Sequence, residues 1–215
     1  MINFKEIVKN QLGYELTDYQ FEQFNTYYKF LIEYNKKVNL TRITELEDVY
    51  IKHFLDSILV INLIDFTSIK SVIDMGSGAG FPGIPLKILY PHLEVLLVDA
   101  RRKKLTFIDQ LIDKLELSNT KTLHARLEKI KLDNKFDLAT ARALTDLTQI
   151  TDYAYPLIKQ NGYIISYKSL SYEEELKEFN KKWSKKVAIE KVDEQILPYN
   201  AGSRYNILLK KKLED

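Results

Sequence analysis

The stretch VIDMGSGAGFPGIP, residues 72–85, decides the fold. It opens on a short apolar, β-branched run of the kind that forms a buried parallel strand. Glycines follow the acid Asp74 at Gly76, Gly78 and Gly80, a G-x-G-x-G spacing that permits a tight turn, positive φ and close approach of a ligand to the backbone. Gly78, Gly80 and Gly83 also satisfy G-x-G-x-x-G, the dinucleotide fingerprint, so the glycines alone leave two nucleotide ligands open. Pro82 and Pro85 fall in the first turn of the expected helix and remove two amide donors that a pyrophosphate would use. A carboxylate at Asp74 sits poorly beside phosphates and well beside an ammonium group and a sulfonium centre. The combination favours S-adenosylmethionine over a nicotinamide dinucleotide.

Working outward, SVIDM reads as the first strand, GIPLKILY as a helix and EVLLVDA as the next strand, ending in Asp99, where an acid meets the ribose hydroxyls of a nucleoside. RRKKLTFIDQLIDKLEL is an amphipathic helix with Leu105, Ile108, Leu111, Ile112 and Leu115 on one face. TKTLHA and FDLATAR are the third and fourth strands. TQITDYAYPLIKQ is read as a helix ended by Asn161–Gly162, and YIISYK as the fifth strand. After the charged helix SYEEELKEFNKKW, VAIEKVDEQIL and RYNILLKK alternate like half-exposed antiparallel strands. Repeated strand–helix units predict an α/β, Rossmann-like, mostly parallel seven-stranded sheet, with the ligand at the carboxyl ends of its strands. Residues 1–65 read instead as an N-terminal helical extension, packed as one unit with the sheet domain of residues 66–215. In that extension Thr17 caps a helix with Gln20 completing a capping box, and Phe21, Phe24, Tyr28, Leu31 and Ile32 recur at helical spacing as a core stripe. A second helical segment, from Glu45 through Leu63, carries HFLDSI.

The 215 residues contain no cysteine, which excludes disulfides, thiolate metal sites and cysteine nucleophiles. The three histidines show no metal-ligand spacing, so no metal is expected. The start is charged and amphipathic, unlike a secretory signal, and no window is apolar enough for a membrane span; a cytoplasmic protein is expected, with monomer as the default. The net charge of +2 announces no polyanionic partner, which leaves local clusters. One is Arg101, Arg102, Lys103 and Lys104, at the start of a helix, where cations oppose the dipole. It reads as a phosphate-facing patch for RNA or as a solvated run. Arg142, ending the fourth strand, faces the expected pocket and orients a base or the cofactor, or forms a structural ion pair.

The acceptor is constrained by what is missing. Pyrimidine C5 methylation needs a cysteine, and exocyclic amines call for a Pro-Pro-aromatic turn where this chain has TARALTD. A ring nitrogen such as guanine N7 has a free lone pair and needs no general base.

VIDMGSGAGFPGIPLKI, together with YNKKVNLTRI, HFLDSI, VDARRKKLTF, TARAL and LP…SRYNILLKK, resembles the bacterial 16S rRNA guanine-N7 methyltransferases (the glucose-inhibited division protein B family) over nearly the whole chain. The resemblance implies a class I methyltransferase fold, S-adenosylmethionine as cofactor, and a guanine in the decoding-region loop of 16S rRNA as acceptor, offered by the small ribosomal subunit or its precursor. Carried over by motif, Gly76, Phe81, Leu127, Glu128 and Arg142 contact the cofactor; Asp74, Gly78 and Asp99 join them on the physical argument. His53, Asp56 and Lys168 fall near the acceptor pocket, with a structural His53–Asp56 interaction as the competing reading. Where the family shows Leu-Lys-Gly after the fifth strand, this chain has Tyr167-Lys168-Ser169. Two alternatives stay open: a nicotinamide-dependent oxidoreductase and a non-catalytic rRNA-binding assembly factor.

Overall fold

The computed structural model describes residues 2–168 and 172–213. The extension begins with α1 (Phe4–Leu12) and α2 (Asp18–Asn35). The capping box on α2 forms as the sequence predicts, with the Thr17 side chain accepting from the Gln20 amide and Gln20 bonding back to the Thr17 amide. α3 (Leu46–Val49), a π-helical turn (Tyr50–Leu55), α4 (Asp56–Ile58) and a 3-10 turn (Leu59–Asn62) then follow without a break. Among the described residues no helix is long and apolar enough to cross a membrane.

The sheet is built from β1 (Ser71–Met75), β2 (Glu94–Asp99), β3 (Thr120–His124), β4 (Phe136–Arg142), β5 (Ile158–Lys168), β6 (Val187–Ile196) and β7 (Ser203–Lys211). Their order is β3-β2-β1-β4-β5-β7-β6, parallel through β5, with β7 antiparallel to both of its neighbours. The order reverses between β1 and β4, so the crevice outside their carboxyl ends is where a ligand fits. The connecting helices are α5 (Gly83–Leu89), α6 (Arg102–Lys114), α7 (Leu147–Ala154) and α8 (Tyr172–Trp183).

Period-two alternation divides the interior. Val72, Leu97 and Leu138 face one core with α5, α6 and the extension; Ile73, Met75, Ala139 and Ala141 face the other with α7 and α8. Phe4, Phe24, Leu31, Phe54 and Ile58 of the extension belong to that first core, so no separate hydrophobic layer divides the extension from the sheet. In α2 the most buried aromatics are Phe24 and Tyr27; Phe21 and Tyr28 lie at the margin.

One expectation fails. Asn161–Gly162 does not end a helix: α7 stops at Ala154, because Pro156 has no amide to continue the ladder, and β5 has begun by Ile158. Asn161, at φ 60°, and Gly162 form a bulge where the register to β4 slips between Phe136 and Leu138. A Cβ at Gly162 would lie 2.8 Å from the Lys159 carbonyl oxygen.

Candidate cofactor cleft and acceptor pocket

The glycine loop leaves β1 with positive φ at Gly76, Gly78 and Gly80. Its amides stitch it to the end of β2: Gly76 and Ser77 donate to the Val98 carbonyl at 2.8 and 3.0 Å, and Gly78 donates to Asp99 Oδ2 at 3.0 Å. Most of the glycines are needed for close packing within the protein. A Cβ at Gly76 would lie 2.8 Å from Leu144 Cδ1, at Gly80 2.8 Å from the Tyr27 hydroxyl, and at Gly83 2.9 Å from Asp74 Oδ2. Gly78 differs, since the nearest atom to its Cβ would be the mobile end of Lys104 at 3.7 Å. Gly78 alone among these four has room for a Cβ, while Gly76 is the loop glycine that lines the cleft.

Asp74 is fully buried and does not face the cleft, as an ion pair with the cofactor's ammonium requires. Its Oδ2 accepts from the Gly83 amide at 3.0 Å and its Oδ1 from Thr140 Oγ1 at 2.9 Å. Burial pushes the carboxyl up to about 6 against the lowering effect of those hydrogen bonds. Asp74 thus ties β1 and β4 to the start of α5, behind the loop. It also takes up the first free amide of α5, which Pro82 precedes.

In front of the loop lies a cleft of about 520 Å³, lined by Gly76, Asp99, Lys104, Leu127, Glu128 and Leu144 among others. Leu127 and Glu128 reach it from a 3-10 turn after β3. Asp99 is held by the Gly78 amide and by the Arg101 amide at 2.8 Å, and Lys104 Nζ lies 3.7 Å away. The basic run is therefore divided. Lys104 turns in toward Asp99, while Arg101, Arg102 and Lys103 stay exposed.

A second pocket of about 260 Å³ adjoins the cleft, lined by His53, Asp56, Arg142, Lys168 and Arg204, with Ala143 lining both. Ala143 has φ 51°, a conformation costly for a residue with a Cβ, at the junction of the two spaces. Arg142 is the hub. Its guanidinium bonds Asp56 Oδ2 at 3.0 Å, reaches the carbonyls of Lys52 and His53, and lies 4.9 Å over the Phe81 ring. It also meets His53 Nδ1 at 3.3 Å, so that nitrogen accepts, and the assigned Nε2–H donates to Thr41 Oγ1 at 2.9 Å. Burial, then the neighbouring Arg142 charge, pushes His53 down to about 3. His53 is therefore neutral at physiological pH. His53 and Asp56 are joined through Arg142; a direct pair between them does not form.

Asp56 Oδ1 is also paired with Arg204 Nε at 3.0 Å, which places one carboxylate between two guanidiniums. Lys168 is engaged, with Glu175 at 2.6 Å and the Thr145 carbonyl at 2.7 Å. Ser169, where the motif departs from the family, lies outside the described residues.

Sequence reasoning overlooks two members of this assembly. Tyr27 donates to the Ala79 carbonyl at 2.5 Å and stacks on Phe81 at 5.2 Å, while His53 stacks on the same ring at 4.6 Å. Phe81 is thus buried between the extension and the acceptor pocket, and its ring does not enter the cleft. Tyr27 lies three residues from Phe24 and four from Leu31, so its periodicity was the available signal. Nothing in spacing marks Arg204.

The model of the family described as rRNA small subunit methyltransferase G matches residues 20–197. Proteins named ribosomal RNA small subunit methyltransferase G are similar over most of the chain. That of Bacillus licheniformis is 41% identical over 206 residues, 93% of this chain and 86% of its own. That of Lysinibacillus sphaericus is 44% identical over 182 residues, 83% of this chain and 76% of its own. The chain belongs to this family. Solved structures carry the same class I methyltransferase fold. A ribosomal protein L11 methylase from Lactobacillus delbrueckii subsp. bulgaricus has a TM-score of 0.60 at 18% identity, covering 75% of this chain and 79% of that one. An S-adenosylmethionine-dependent O-methyltransferase from Thermotoga maritima has a TM-score of 0.59 at 16% identity, covering 86% and 72%. Family membership makes this chain an S-adenosylmethionine-dependent methyltransferase and gives no support to the nicotinamide-dependent alternative.

Proposed function

We propose that this protein methylates N7 of a guanine in the decoding-region loop of 16S rRNA, acting in the cytoplasm, as a monomer, on the small ribosomal subunit or its precursor. The observation that carries the reading is a pocket beside the cofactor cleft whose titratable groups are all engaged. His53 is neutral and bonded on both ring nitrogens, Asp56 is held by two arginines, and Lys168 is paired. Among the described residues such a pocket has no free general base, and guanine N7 has no proton to lose.

The backbone at Gly76, the carboxylate of Asp99 and the apolar Leu127, which line the cleft, fit a nucleoside bearing an amino-acid tail, with the uncrowded Gly78 beside them. Gly76, Gly78, Asp99, Leu127 and Glu128 would hold it, with Phe81 and Arg142 shaping the wall beside it. When bound, S-adenosylmethionine supplies the electrophilic methyl group. The chain's residues contribute position. Arg142, fixed by Asp56 and stacked on Phe81, sets the border between cleft and pocket. The Asp56 carboxylate offsets one of the two guanidinium charges where the alkylated base becomes cationic. Asp74 acts from behind the loop.

The test is transfer of labelled methyl to small-subunit rRNA from a strain lacking the modification, followed by mapping of the modified base. N7-methylguanine at one site is expected. Methylation elsewhere, or rRNA binding without any transfer, as an assembly factor would show, defeats the proposal.

A further inference from the structure

We infer that the loop joining α2 to α3 is a second RNA-backbone grip, whose cations Lys36, Lys37 and Arg42 hold phosphates on the same rim as Arg101, Arg102 and Lys103. The inference rests on the rRNA reading above and adds a binding surface to it.

Helix packing brings the two basic groups to one rim. Gln23 donates to the Leu115 carbonyl at 2.9 Å, Phe30 stacks on Phe107 at 5.2 Å, and Tyr34 meets Phe107 at 5.1 Å. Residue numbers rise along α2 as they fall along α6, so the helices run antiparallel. The end of α2, which carries Lys36 and Lys37, therefore lies toward the start of α6, which carries Arg102 and Lys103.

The loop is also held in shape. Asn35 Oδ1 accepts from the amides of Leu40 and Thr41 at 2.7 and 3.0 Å, and Asn35 Nδ2 donates to the Thr41 carbonyl. Thr41 Oγ1 then docks on His53, a wall of the acceptor pocket. Arg42 follows this anchor directly and is exposed.

The charges are unspent. Among the described residues, Lys36, Lys37, Arg42, Arg101, Arg102 and Lys103 are exposed and none joins an ion pair, whereas adjacent Lys104 and Lys52 each face an aspartate. The helix dipole accounts for Lys36 and Lys37 at the end of α2, but it opposes Arg102 and Lys103 and does not act on Arg42. A polyanion seated across both groups accounts for all six. Glu33, Glu45 and Glu47, also exposed, flank the loop outside this group.

The test uses the full chain and small-subunit rRNA lacking the modification. In the triple variant Lys36→Ala, Lys37→Ala, Arg42→Gln, KM for RNA should rise about tenfold or more. The slope of log affinity against log salt should fall by about 2, at roughly 0.7 per cation on single-stranded RNA. S-adenosylhomocysteine affinity should stay within about twofold, which shows that the fold and cleft are intact. A control triple of the exposed Lys131, Lys177 and Lys185 to Ala should change neither KM nor slope. Wild-type KM and slope in the loop variant, or equal effects in the control, overturn the inference while leaving the rRNA reading standing. A wild-type chain that neither binds nor methylates rRNA removes that reading, and the inference with it.

Discussion

Replacing Asp74 by Asn separates a carboxylate that supports the loop from one that meets the ligand. Asn can accept from the Gly83 amide through its oxygen and donate to Thr140 through its nitrogen, so both contacts of the buried side chain are kept. What changes is the charge. Burial raises the wild-type carboxyl from its ordinary 3.8 to about 6. Between those values the unfolded chain ionises while the folded one holds its proton, so stability falls as pH rises. At about 1.4 kcal/mol per unit, the burial of this charge costs the fold about 3 kcal/mol above pH 6, and nothing below the unfolded value. Urea unfolding of both proteins from pH 4 to pH 8 isolates this group, because the other titrations cancel in the difference. The variant should gain about 3 kcal/mol on the wild type between pH 4 and pH 7. Its affinity for S-adenosylhomocysteine, measured by calorimetry, should stay within about threefold. A stability difference that does not vary with pH refutes the raised carboxyl. A folded variant that has lost its cofactor affinity returns Asp74 to the ligand face.

Other expectations follow from the same geometry. Tyr27→Phe leaves the Ala79 carbonyl buried without its donor and should cost about 1 to 3 kcal/mol in denaturant unfolding; a loss below about 0.5 kcal/mol contradicts that bond. Gly78→Ala has room for its Cβ and should lose only about 1 kcal/mol of stability to its positive φ, yet bind S-adenosylhomocysteine at least tenfold more weakly. Gly83→Ala drives a Cβ into Asp74 and Leu97 and should instead show its loss as instability; equal unfolding midpoints for these two variants contradict the difference. His53, pushed down to about 3, should show no ring titration by NMR between pH 5 and pH 8. Because its folded value is depressed, its contribution to stability is present above the unfolded value of 6.5 and is lost as pH falls toward 3, so His53→Gln should be less acid-sensitive.

Much of this was legible in the chain because the rules involved are local. Strand–helix alternation, the capping box at Thr17 and Gln20, and the turn at Gly76 to Gly80 depend on neighbours two to four residues away, and they placed the strands along the chain and the glycine turn at the end of β1. At Asn161–Gly162 the local rule is ambiguous, because a left-handed residue and a glycine serve a strand bulge as well as a helix end, and Pro156 has already ended the helix. The site itself was decided by tertiary structure. Arg142 and Asp56, 86 residues apart in the chain, meet only because β4 lies beside the π-helical turn and α4. Arg204 reaches the same carboxylate from β7. The sequence alone led to the expectation of a ligand at the loop after β1. Which glycine has room for one, and whether Asp74 faces the cleft, depended on the directions of Leu144, Tyr27 and Thr140, side chains whose positions are set by packing across elements and not by spacing along the chain.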